Sequence, residues 1–186
     1  MRIPLPTPLN HAGRAINTLN ETLPQFFHEG LVDILPNGAP LYSPHVQLRL
    51  RQFSLPSLRG RGVYMRSAGV LRVVFVALHA DTSVVVKGVS LHDHRHVHMG
   101  LIVNGTNRLT QQRYEWDVLF RYAFDEAGLV STHEVLRIHP PPTTSVVEGL
   151  RAVLAGLIRE RNKERGVVAC GGAKASAGDA NDGEVR

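Results

Sequence analysis

Cysteine is almost missing from this chain of 186 residues: there is one, Cys170, in a tail rich in glycine and alanine. No disulfide can close within the chain, and no zinc site built from several thiolates can form. A reducing, intracellular compartment is therefore the expected setting. Long apolar runs are missing too. None approaches the ~20 residues of a membrane-spanning helix, so no membrane span is expected. Residues 1–20 lack the apolar core of a secretory signal. They carry Arg2 and Arg14 and no acid, a faint likeness to an organellar (mitochondrial or plastid) transit peptide. Pro4, Pro6 and Pro8 break the amphipathic helix such a peptide needs. No catalytic signature of high specificity is present.

Lysine is scarce, and arginine carries the charge. Of 21 basic residues 18 are Arg and 3 are Lys; with 16 acids the net charge is +5. The densest basic segment holds Arg49, Arg51, Arg59, Arg61, Arg66 and Arg72. A nucleic-acid surface would interleave aromatics with such charges on the polar side, and none do so here. Nucleic acid is not an expected partner.

What is present is enough apolar residue, 43%, to build a proper core. Residues 1–9 read as an extended N-terminal segment. A domain follows over 10–140. From Asn10, a candidate N-cap, to about Gly30, Ile16, Leu19, Leu23, Phe26 and Phe27 recur at helical spacing, and Pro24 should divide that helix. Leu41 to Phe53 alternates like a half-exposed strand. Val63 to His79 predicts a second helix with a stripe of Tyr64, Ala68, Leu71, Phe75 and Leu78. Ser83 to Val103 predicts a hairpin turning near Asp93–Arg95, and Asn104-Gly105 reads as a tight turn. Next comes the most regular stretch of the chain. Tyr114, Trp116, Val118, Phe120, Tyr122 and Phe124 fall at every second position, Asp125-Glu126-Ala127-Gly128 supplies a turn, and a second strand follows. After Pro140-Pro141-Pro142, Ser145 and Glu148 form a capping box. It opens a C-terminal helix over 144–165, with a disordered tail over 166–186. Helices first, then strands joined by short turns, give an α+β fold: N-terminal helices packed on a curved antiparallel sheet, plus an extra C-terminal helix.

Several residues could carry chemistry. Tyr114, Trp116, Phe120 and Tyr122 share one strand face and could line an apolar ligand pocket, or simply fill a core. His133 and Glu134 point to opposite faces, so only one can join those aromatics. If His133 does, it could act as an acid/base group beside Tyr122, with Asp33 as a carboxylate near the mouth. His92, His94, His96 and His98 recur at a period of two. They would span about 20 Å on a straight strand, too far for one ion, and the expected turn scatters them. No metal and no cofactor are expected.

The segments LYSPHVQL, LRGRGVY and YEWDVLFRYAFDEAGLVSTHEV, in that order between helices and paired strands, make residues Leu31 to His139 resemble the NTF2-like superfamily, including its SnoaL-like members. More narrowly the chain is similar to the DUF2358 group, small domains of unassigned function. The resemblance implies a cone-shaped α+β fold with a cavity, and often dimerisation through the sheet. The family holds enzymes such as ketosteroid isomerase and scytalone dehydratase alongside binding and trafficking modules. Its dehydratases place a His/Asp pair across an apolar pocket, which would fall to His133 and Asp33 here. With no catalytic residues assigned, the expected function is a non-catalytic ligand-binding or protein-interaction module. It would take a small apolar ligand and could form a homodimer through the sheet or the C-terminal helix. The alternative is a small lyase or isomerase acting on an apolar carbonyl or hydroxylated compound.

Overall fold

The computed structural model describes residues 8–53, 55–93, 95–142, 147–149, 151, 152, 155, 156 and 159. The chain opens with helix α1 (Pro8–Thr22), so Asn10 lies inside the helix rather than at its cap. Pro24 converts the next turn to a 3-10 helix over Leu23–Gln25, and α2 (Phe26–Glu29) resumes beyond it. Strand β1 (Tyr42–Leu50) and the short β2 (Leu58–Arg59) precede helix α3 (Arg61–Leu78). Four long strands then follow: β3 (His79–Leu91), β4 (His96–Asn107), β5 (Arg113–Phe124) and β6 (Val130–His139).

These strands form one six-stranded sheet in the order β2-β1-β6-β5-β4-β3. The expected α+β fold, a cone of helices on a curved sheet, is the one observed. The sheet is not wholly antiparallel as the sequence suggested, because β1 runs parallel to β6. Parallel neighbours need a long crossover. Here α3 and two hairpins supply it.

One face of the sheet carries the core. Across β4 and β5 the pairs Val97–Tyr122, Met99–Phe120, Leu101–Val118 and Val103–Trp116 stand directly opposite one another. Directly opposed residues share a face, so this is a continuous apolar surface. Ala15, Leu19, Leu23 and Phe27 from the N-terminal helices close over it, with Tyr64 of α3. Phe27 stacks on Phe75 at 4.8 Å, tying α2 to α3. The expected stripe of α3 is buried only in its first half. Val63, Tyr64 and Ser67 are buried, while Leu71 and Leu78 are 43% and 44% exposed because the described residues leave that end of the helix uncovered.

The hairpin at Asp93–Arg95 is present, and so is the turn after β5. There the Asp125 carboxylate accepts the backbone N–H groups of Ala127 and Leu129 at 3.0 and 2.9 Å, and Gly128 takes φ 78°. The Asn104-Gly105 turn is not. Both residues lie within β4, opposite Glu115 and Tyr114, and the chain reverses instead at Arg108–Gln112. The Asn107 side chain organises that reversal, accepting from the N–H of Leu109 at 2.9 Å and Thr110 at 3.1 Å.

Gly105 is glycine for another reason. A Cβ built there would sit 2.1 Å from the Tyr114 hydroxyl oxygen, because the Tyr114 ring lies across it. That ring also packs on Trp116 at 4.4 Å and His79 at 4.8 Å. Gly105→Ala must therefore push the ring out of an aromatic cluster, at an expected cost of about 1–3 kcal/mol. Urea unfolding in the wild-type and Tyr114→Ala backgrounds checks this. An equal cost in both would refute the ring as the cause.

Of the predicted C-terminal helix, the described residues 147–149, 151, 152, 155, 156 and 159 are helical. Ser145, its capping residue, lies outside the described residues, as does the tail over 166–186.

Candidate functional site

The alternation of β6 sends His133 to the helix-covered face and Glu134 to the other. Register places His133 opposite Tyr122 on β5 and beside Leu48 on β1. Its ring stacks on Tyr122 at 4.6 Å and meets Phe120 edge-on at 4.5 Å. From α3 the Tyr64 hydroxyl shares a hydrogen bond of 2.9 Å with His133 Nδ1. Tyr42, the first residue of β1, packs against Tyr64 at 4.9 Å. Four elements thus converge on a cluster of one histidine and three tyrosines.

This cluster is short of hydrogen bonds. The hydroxyls of Tyr42 and Tyr122 and Nε2 of His133 are covered from solvent and have no hydrogen-bond partner among the described residues. Tyr42 and Tyr64 lie close enough to perturb each other's ionisation, yet the Tyr42 hydroxyl makes no well-formed bond. A buried polar atom without a partner costs about 1–3 kcal/mol, so three in one cluster are unusual for a structural core.

Electrostatics keep the cluster neutral. Burial drives the His133 pKa down from 6.5 to about 3. Burial likewise raises Tyr42, Tyr64 and Tyr122 well above the usual phenol value, with the neighbouring tyrosines adding to it. A neutral imidazole has one donor and one acceptor nitrogen. With Nδ1 taken by Tyr64, Nε2 is left as either a donor or an acceptor with no partner among the described residues.

The sequence candidates fall into three places. Phe120, Tyr122 and His133 come together in this cluster. Tyr114 and Trp116 sit further along β5 in a second cluster, packed with Phe75 and His79. Burial raises the Tyr114 pKa to about 12. Asp33 joins neither. It is held by the Arg61 guanidinium in a two-pronged pair, with N–H···O distances of 2.7 to 3.0 Å. Tyr42 and Tyr64 were not singled out as site residues from the sequence. Both lie in segments that carry the family resemblance, LYSPHVQL and LRGRGVY.

The histidine tip makes a different arrangement. His92 and His98 stack at 5.0 Å, and His96 Nδ1 bonds the Asp93 carboxylate at 2.8 Å. The backbone N–H of Arg95, then His96, hold the Asp93 pKa down at about 2. His94 lies outside the described residues. Among the described residues no group of three or more ligand side chains could hold a metal ion, and no helix is long and apolar enough to cross a membrane.

No known family model matches the sequence, so the narrower likeness to the DUF2358 group is not shown. No curated protein matches it in sequence. Solved structures do resemble the fold. A ketosteroid isomerase-like protein from Catenulispora acidiphila, solved with trimethylamine, is 9% identical with a TM-score of 0.46, over 74% of this chain and 92% of its own. A SnoaL-like polyketide-cyclase-type protein from Mesorhizobium loti is 14% identical at 0.46, over 67% and 97%. An epoxide hydrolase-type protein from Mycobacterium tuberculosis is 15% identical at 0.44, over 67% and 80%. Likeness at this level concerns the fold alone and carries no conclusion about chemistry.

Proposed function

We propose that this protein is an NTF2-like, non-catalytic binder of a small, neutral, mostly apolar compound bearing a carbonyl or hydroxyl group. The observation behind this reading is the cluster of covered, unpartnered polar atoms: Nε2 of His133 and the hydroxyls of Tyr42 and Tyr122. Their surroundings are largely aromatic, which suits a ligand with a polar tip on an apolar body. A charged ligand fits less well, since none of the four side chains is charged at neutral pH.

The lyase or isomerase reading is the runner-up. A general base works best with a pKa near the operating pH. His133, at about 3, is far too weak a base at neutral pH. The expected carboxylate, Asp33, is committed to Arg61. Among the described residues no carboxylate bonds to His133.

Cyclohexanone in D2O distinguishes the two. Binding should move the His133 ring nitrogen resonances in long-range 15N spectra and be lost in His133→Phe, with no deuterium entering the ketone beyond the protein-free rate. Deuterium exchange that His133→Phe abolishes would establish the catalytic reading instead. Unmoved His133 resonances with both cyclohexanone and cyclohexanol would sink the binding site.

A further inference from the structure

The outer face of the sheet carries a second cluster that the inner site does not use. Glu134 faces this side, yet it is fully buried. Arg121 from β5 bonds one of its carboxylate oxygens, and Arg51 Nε lies 2.5 Å from the other. Arg49 stands beside Glu134 across the parallel β1–β6 ladder. Arg49, His96, Arg121, Ala123, Thr132 and Glu134 together line a depression of about 60 Å³.

Charge is unbalanced here. Two guanidiniums hold one carboxylate, and a third arginine, Arg49, lines the same depression. Asp117 is occupied by Lys87 and Arg137, Asp93 by His96, and Glu126 by Arg95. Among the described residues no second carboxylate pairs with Arg49, Arg51 or Arg121. The one hydrogen bond seen for Arg49 goes to the neutral Gln47 side chain, at 3.1 Å. Partly buried, uncompensated guanidinium is costly, and an anion relieves that cost. Thr132 borders the same space, and His96 has Nδ1 turned to Asp93, leaving Nε2 for another partner. The volume is several times the roughly 10–15 Å³ that one water needs, enough for a small oxyanion.

From this arrangement we propose a binding site for a compact oxyanion, a phosphate or carboxylate group, on the outer face of the sheet. Arg49 and Arg121 are its charged walls. Glu134 borders the same space and holds the Arg121 guanidinium in place. Arg is suited to this role because its planar fork matches both oxyanion geometries. The site is independent of the inner cluster, because strand alternation puts His133 and Glu134 on opposite faces.

Calorimetric titration of the full chain with sodium phosphate and with sodium acetate, each against sodium chloride of equal ionic strength, tests the proposal. Saturable binding of at least one oxyanion is expected, and the two arms say which geometry the site prefers. Arg49→Met should weaken it by about tenfold or more, and Thr132→Val by roughly fivefold. His133→Phe should leave it unchanged. Heat no different from chloride overturns the proposal, since that is screening and not a site. So does undiminished affinity in Arg49→Met shown by circular dichroism to be folded. Should that variant not fold, undiminished affinity in Thr132→Val does the same.

Discussion

Acidifying the wild-type protein from pH 7 to about pH 4.5 is expected to remove roughly 2–3 kcal/mol of folding stability that His133→Phe does not lose. The His133 pKa falls from 6.5 in an ordinary setting to about 3 in the folded protein. Between those values the unfolded chain binds a proton that the native chain does not. Stability therefore rises with pH across the window, is complete above about pH 6.5, and falls as the pH drops toward 3. The cause is burial: protonation would place a cation among Tyr42, Tyr64, Tyr122 and Phe120, with no carboxylate bonded to the ring. Asp93 and Asp117, whose pKa values are held low by their partners, stay ionised in the folded protein down to about pH 4.5, so only a small loss from their unfolded forms enters this window. That loss is common to both proteins and cancels in the difference. Urea unfolding of each protein at several pH values gives the answer. Parallel stability profiles would show that His133 reaches solvent as it titrates.

The same residue marks where sequence reading succeeded and where it stopped. The period of two through Tyr114–Phe124 and the acidic turn after it are local facts, and the β5–β6 hairpin follows from them, though not the two register shifts within it. Alternation alone also separates His133 from Glu134. Which of the two joins the aromatics is a tertiary fact, as is the choice of Tyr64 as the hydrogen-bond partner, 69 residues away in sequence. Tyr64 reads as one more apolar helix position until β1 and β6 run side by side. That parallel pairing is set by a crossover and not by any local pattern. Asn104-Gly105 failed for a related reason. The dipeptide prefers a turn, but the Tyr114 ring on the neighbouring strand needs a residue without a side chain, and the Asn107 carboxamide offers a better reversal three residues on. Asp33 was legible as a carboxylate near α2 and not as the partner of Arg61, since a long Arg side chain can reach across loops that the sequence does not position.

Removing the charge of Arg121 should cost far more than removing the whole ion pair. Glu134 has a side chain only 1% exposed, whereas Arg121 is 31% exposed and Arg51 67%. Arg121→Met leaves the buried carboxylate with Arg51, which solvent screens, and with no fork from β5. Breaking one side of a buried pair typically costs 3–5 kcal/mol, because the remaining charge is stranded. The partial cover from Arg51 places the expectation near the lower end, about 3 kcal/mol. Glu134→Leu is a different case. It strands no buried charge, since the Arg121 guanidinium can turn to water. The double variant Arg121→Met/Glu134→Leu replaces the pair with apolar volume on strands that already pair along their length. Such replacements are often neutral, so the double variant should fall within about 1 kcal/mol of wild type. Urea midpoints of the four proteins give the coupling directly. A loss for Arg121→Met under about half a kcal/mol would mean that Arg51 alone satisfies the carboxylate. A double variant as unstable as Arg121→Met would mean that Arg121 contributes by packing its stem on the sheet rather than by charge.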